Sequence, residues 1–229
     1  MAEKKTVKEV EVEGDPLVKA KDFWTRYSKP IIVVGAALIL LVVGFFGYKN
    51  FIQEPKEQKA ADALFKAEEY WRKDSINLAL NGDGQNLGFL KVISRYGGTD
   101  AGNLAKFYAG ACYIKLDDNA NAIKYLKDFS TDAKQVQQRA YKLLGDASAD
   151  LGKNAEALDY YKKAARHFKE DQQNSSEALF LAAYLADRVM KNQKEAIALY
   201  KELKEKYPNT RYGVDADNYL AQLGVYNMN

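Results

Sequence analysis

The residue types that carry covalent or metal chemistry are scarce in this chain, and their spacing limits what they can do. His167 is the one histidine in 229 residues. A general base needs a nucleophile or substrate proton within hydrogen-bond reach. His167 lies between Arg166 and Phe168 near a helix end with no nucleophile beside it, so it reads as a solvated or locally bonded side chain. Cys112 is the one cysteine, which excludes an internal disulfide and a thiolate zinc site. It falls at a small-residue position of a helix, and packing accounts for it better than redox chemistry does. Asn81-Gly82-Asp83-Gly84-Gln85-Asn86 carries the oxygen donors of a calcium loop. The twelfth position, where a bidentate Glu belongs, is Val92, so this segment reads as a turn. No catalytic constellation is expected, and neither cofactor nor metal.

Charge narrows the partners further. Thirty-four basic and 31 acidic residues, net +3, are mixed along the whole chain, which leaves no positive stripe to track phosphates. Nucleic acid is not an expected partner. Many Ala, Leu, Lys, Glu and Tyr with four prolines favour helices.

One segment stands apart. Between Pro30 and Tyr48 there is no charge, although 28% of the chain is ionic. Its Ile31, Ile32, Val33, Val34, Leu38, Ile39, Leu40, Leu41, Val42, Val43, Phe45 and Phe46 gain about −4 to −7 kcal/mol on entering a bilayer. As a helix, Ile31 to Tyr48 covers about 27 Å, close to the hydrocarbon thickness. A cleaved signal has a shorter apolar stretch and small residues before the cut; here Tyr48, Lys49, Asn50 and Phe51 follow. A retained transmembrane helix is expected over 30–48, with Trp24 and Tyr27 at one interface, Tyr48 and Phe51 at the other, and Pro30 in the first turn. Lys19, Lys21, Arg26 and Lys29 precede the span against Lys49, Lys56 and Lys59 after it, which favours a cytoplasmic amino end. Residues 1–29 read as a disordered tail in which Pro16 to Tyr27 can form a short interfacial helix. Residues 49–57 read as a polar connector, and 58–229 as the main domain.

In that domain the periodicity is helical. Ala60, Leu64, Ala67 and Trp71 share one face, as do Phe89, Ile93 and Tyr96. Asp74 to Asn86 between them reads as a turn. A repeat follows: Gly110, Leu116, Ala122 and Tyr125 recur as Gly145, Leu151, Ala157 and Tyr160 at a step of 35. A third copy places Ala196 on Ala157, its longer spacing assigned to the polar insert Lys169 to Ser176. Ser94 to Ala105 is echoed by Glu205 to Ala216, marking repeat boundaries and leaving the helix after Gly213 as an end cap. Each unit is a helical hairpin that cannot bury its own face but can in a stack.

The period and the pattern Tyr141, Leu144, Gly145, Ala157, Tyr161, Ala164 and Pro208 resemble the tetratricopeptide repeat. The resemblance implies an all-α solenoid of about four helical hairpins with a C-terminal capping helix. In the third repeat Tyr184 stands where the small first-helix residue belongs. The resemblance also implies a concave groove lined by Leu104, Phe107, Ala111 and Ile114, then Lys142, Asp146 and Ala149, then Leu181, Leu185 and Arg188. The Lys and Asn carboxylate clamp of some family members is replaced here by Phe107, Lys142, Leu181 and Ala111, Asp146, Leu185. An extended or helical apolar segment therefore suits the groove better than a chain terminus.

A single amino-terminal span followed by such repeats resembles the YfgM-type ancillary subunits of the bacterial Sec translocon. That likeness, one of architecture and length, implies an inner-membrane protein with a periplasmic repeat domain. It also implies partners: the translocon complex, a membrane-anchored chaperone of the PpiD type, unfolded exported chains and the lipid bilayer.

Overall fold

The computed structural model describes residues 16–226 and divides at Pro55/Lys56 into two units.

In the first unit α1 runs from Pro16 to Tyr48, about 50 Å at the helical rise. Among the described residues one helix is long and apolar enough to cross a membrane, and none of its apolar window is buried. The side chains expected to face lipid, Leu40 and Leu41 among them, are exposed. Two expectations change. Pro30 lies inside α1 instead of in its first turn, because the good helix formers Leu17, Lys19, Ala20 and Lys21 let the helix start already at Pro16. Pro30 brings no N–H to the ladder, and the helix carries that loss in its interior. Lys49–Gln53, expected as part of a polar connector, is a π-helical turn, with the Glu54 N–H donating to the Lys49 carbonyl. Pro16 to Tyr27 is helical as the interfacial reading allowed; the rest of the expected tail, 1–15, lies outside the described residues.

The second unit is helical. α2 (Glu54–Arg72) and α4 (Phe89–Tyr96) flank a segment expected to be a turn, within which α3 (Ile76–Asn81) forms instead. Ala79 and Leu80 of α3 are buried with Ala60, Leu64 and Ala67 of α2. Then come three hairpins: α5 (Asp100–Lys115) with α6 (Asn119–Lys127), α7 (Lys134–Asp150) with α8 (Asn154–His167), and α9 (Gln172–Tyr184) with α10 (Gln193–Lys206). α11 (Arg211–Gln222) follows α10 and packs on it and on α9, as the expected cap. The tight turns inside the hairpins use a left-handed residue at equivalent places, Asp117 (φ 60°), Gly152 (φ 70°) and Lys191 (φ 55°).

The internal echo is realised atom for atom. Thr99 Oγ1 accepts from the Gly102 N–H and donates to the Tyr96 carbonyl, and Thr210 does the same with Gly213 and Tyr207. A Cβ on Gly102 or Gly213 would collide with the Tyr96 or Tyr207 carbonyl oxygen, so only glycine admits this approach.

Hairpin packing explains the repeat's small position. A Cβ on Gly145 would sit 2.6 Å from the Tyr161 ring, and one on Gly110 would fall within the Leu126 side chain. In the third hairpin Tyr184 is 43% exposed while Ala183 is fully buried, which corrects the expected register. The buried positions Gln137, Gln138, Ala140, Leu144, Gly145, Ala147 and Ser148 of α7 recur as Ser175, Ser176, Ala178, Leu179's neighbours Ala182 and Ala183, then Leu185 and Ala186, at a step of 38. The second helices keep a step of 39, Ala157 to Ala196. The difference of one residue is taken up by a π-helical turn at Leu185–Val189, which widens the helix locally and restores the frame. The polar insert therefore does not absorb the whole extra length. Ser175 and Ser176, assigned to it, are fully buried residues of α9.

Candidate functional site

A trough of roughly 880 Å³ opens along the first helices of the hairpins. α5 contributes Leu104, Phe107, Ala111 and Ile114, α7 contributes Val136, Arg139, Lys142 and Leu143, α2 contributes Trp71, and the start of α9 contributes Asn174 and Glu177. α5 presents these residues because 104, 107, 111 and 114 recur at steps of three and four, one stripe of a helix. The same holds for 136, 139 and 143 on α7.

The wall mixes apolar side chains with polar and charged ones, and most of the charged groups are engaged by neighbours. Phe107 is seated against Phe129 (5.5 Å between ring centres) and Tyr108 (5.6 Å) and only 8% exposed, so it forms the floor more than the rim. Lys142 pairs with Asp146 (3.2 Å) and Glu177 (3.4 Å). Burial pulls the Lys142 ammonium down, and the two carboxylates more than offset that, leaving its pKa above the ordinary value. Asp146 also accepts from the Tyr161 hydroxyl at 2.9 Å. Lys115 pairs with Asp74 and lies 5.0 Å from the Trp71 ring centre. Deeper, Gln138 Nε2 donates to the Ala164 carbonyl (3.1 Å) and to Ser175 Oγ (2.9 Å), joining α7, α8 and α9. Its Oε1 finds no donor among the described residues.

Residues 104–133 and 177–210 match the family model described as tetratricopeptide repeat. The chain contains tetratricopeptide repeats. No match was found among curated proteins. The hairpin α7–α8, between the two matched segments, repeats their design through Gly145 and Tyr161. Tetratricopeptide repeats are in general protein-interaction modules without catalytic activity of their own.

Of the groove residues read from the sequence, the trough brings together Leu104, Phe107, Ala111, Ile114 and Lys142. Asp146 is the partner of Lys142 and Tyr161, and Ala149 is half-buried against the core of the last two repeats. The three third-repeat positions expected in the groove fall in the shifted register. Leu185, expected in the groove, is a core residue, 6% exposed. Leu181 is half-buried against the same core. Arg188 is exposed, paired with Asp187, bonded to Gln222 and over the Tyr219 ring. At the true step of 38, Lys142 and Asp146 correspond to Phe180 and Tyr184. Phe180 is stacked on Tyr212 of the cap at 5.0 Å. Sequence reasoning missed Trp71, Val136, Arg139 and Leu143. The one-turn spacing of the last three was the available signal.

The segments considered for chemistry have structural partners. Asp83 accepts from the Gln85 and Asn86 N–H groups, from Asn86 Nδ2 and from the Tyr70 hydroxyl (2.6 Å). The Tyr70 bond above all holds its carboxyl well below the usual range. Four protein donors thus use the oxygens a calcium ion would need. Cys112 is fully buried, and burial pushes its thiol up to about 12, away from the thiolate a redox role requires. His167 stands edge-on to Tyr141 at 5.4 Å.

Proposed function

We propose that this protein is a membrane-anchored adaptor of the YfgM type at the bacterial Sec translocon. α1 is an uncleaved span of the inner membrane with a cytoplasmic amino end, and the tetratricopeptide repeats lie in the periplasm. The trough receives apolar segments of exported chains before they fold, in company with a chaperone of the PpiD type. The span does its work by position, holding the trough near emerging chains and replacing bulk diffusion with a high local concentration.

The observation that carries this reading is that the chain has both an apolar, unburied helix and a trough on the first helices of the repeats whose lining includes Leu104, Ile114, Val136 and Leu143. Exposed apolar surface of this extent is retained in a protein when something covers it. The test is co-purification of the full chain in mild detergent, joined to protease protection in sealed inverted vesicles. Translocon subunits in stoichiometric yield, with the repeats protected, are expected. Recovery of a different envelope complex would make the protein an assembly factor for that machine, and digestion of the repeats from the cytoplasmic side would overturn the placement.

A further inference from the structure

α1 is longer than the hydrocarbon layer of a bilayer is thick. Its 33 residues cover about 50 Å against about 30 Å, so an unbroken stretch of helix precedes the apolar span that begins at Pro30. One face of α1 keeps its character through both parts. Trp24, Ile31, Leu38 and Phe45 lie seven residues apart, a second row at the same step runs from Ala20 through Tyr27 to Tyr48, and every position in the two rows is apolar and exposed. Within the span any face of the helix is apolar. Before Pro30 the pattern discriminates, because Lys19, Lys21, Asp22, Arg26 and Lys29 all fall outside both rows. A hollow lined by Phe23, Tyr27, Pro30, Ile31, Val34 and Leu38 lies along the same side and joins the two parts. Two apolar rows kept at a seven-residue step over about four heptads form the seam of a left-handed helix pair, since the step holds one stripe against a partner. The π-helical turn at Lys49–Gln53 lets an extra residue into the next turn and ends that phase.

We infer that α1 pairs with α1 of a second copy, parallel and in register, along the stripe from Ala20 to Tyr48. The inference goes beyond the adaptor reading and takes from it only that α1 is an uncleaved span. Copies of a single-span chain enter the bilayer in one orientation and to one depth, so each stripe meets its own image at the same level. Charge permits the match. The positions flanking the stripe before the span are Lys21, Phe23, Ser28 and Pro30, and in a parallel pair Lys21 lies opposite Pro16 and Phe23 opposite Ser28, so no like charges stand face to face. In lipid the pair gains by close packing, for which the hollow leaves room. Before the span, the Trp24 and Tyr27 rings of both copies gain by covering one another.

The experiment uses the full chain in native membranes with Cys112→Ala as background, single cysteines introduced along α1, and oxidation by copper phenanthroline. Ala20→Cys and Val34→Cys lie on the stripe, one before the span and one within it; Asp22→Cys and Ala36→Cys lie on the far side of the helix in the same two parts. A disulfide needs the two backbones within about 7 Å, so the stripe cysteines should give about tenfold or more linked product than the far-side ones. That product should run at twice the 25.8 kDa of the chain. All four replacements are small and lie outside the repeats, and retention of each variant after alkaline carbonate washing checks that it is inserted. Equal linkage at all four positions, or linkage at none, in chains that carbonate does not release overturns the pairing and leaves the span standing. Linkage of the stripe cysteines into a product of another mass gives the stripe to a different protein's helix and overturns the second copy. Release of the parent chain by carbonate overturns the span and the pairing together.

Discussion

The carboxylate of Glu57 closes the amino end of α5, its Oε1 accepting the Ala101 N–H at 2.9 Å. Its other oxygen takes the Asp100 N–H at 3.0 Å, and Thr99 takes that of Gly102. Three backbone donors that a helix start leaves without partners are thus satisfied, two of them by a residue more than forty positions away. A negative group at that end is also favoured by the helix dipole. Glu57→Ala should lower stability by about 1–2 kcal/mol, and Glu57→Gln by less. Urea unfolding of the full chain in micelles reads this. A loss indistinguishable from zero for Glu57→Ala would mean that water serves the helix end as well.

Gly145→Ala should be destabilising by about 1–3 kcal/mol, because the new methyl meets the Tyr161 ring, which is held by Asp146 and has little room to retreat. Gly98→Ala serves as a comparison for mere loss of glycine, since a Cβ there meets open space and its backbone is not in the left-handed region. If thermal melting shows Gly145→Ala unchanged, the hairpin crossing is looser than described.

The π-helical register predicts opposite behaviour for adjacent residues. Leu185→Ala should cost about 2–5 kcal/mol as a core truncation, whereas Tyr184→Ala, at an exposed site, should cost far less. Chemical denaturation of the two variants side by side checks the order. The reverse order would restore the register read from the sequence, with Leu185 on the open face.

Three buried acids set an alkaline limit. Burial raises Cys112 from near 9 to about 12, and burial followed by nearby carboxylates raises Tyr161 and Tyr200 above their ordinary value near 10. In each the fold favours the neutral form, so the folded chain keeps its proton to higher pH than the unfolded chain does. Their contribution is complete below the ordinary values and lost as pH rises above them, at about 1.4 kcal/mol per pH unit for each group once it titrates in the unfolded state. Stability should hold to about pH 9 and then fall. Cys112→Ala should delay the onset to about pH 10, which denaturation midpoints across this range will show. An unchanged onset would exclude the thiol as its source.

Phe107 and the rim residues should separate stability from binding. Phe107→Ala should cost about 3–5 kcal/mol because the ring is part of the core. Ile114→Ser and Leu143→Ser, on half-buried rim positions, should weaken capture of a carboxymethylated, permanently unfolded polypeptide severalfold with a smaller loss of stability. With Trp24→Phe as background, Trp71 fluorescence follows the binding from inside the trough. Unaltered binding by both serine variants would remove the trough as the site.

Much of this protein is legible without coordinates. A charge-free run of the length of a bilayer, a step of 35 between small residues and the paired threonine-glycine boundaries are properties of neighbouring residues, and local chemistry enforces them. The sequence thereby determined the membrane-compatible helix, the all-α repeat class and the apolar stripe of α5. It did not determine how the four extra residues of the third repeat are distributed, since a spacing of 39 is the same wherever the additions fall. Packing made that choice: Ala183 fits against the second helix where Tyr184 does not, so three additions go before α9 and one widens its end into a π turn. Nor could the sequence tell that Lys142 is consumed by Asp146 and Glu177 while Arg139 is left without a carboxylate. Ion pairing depends on which helices become neighbours, and that is settled only when the hairpins stack.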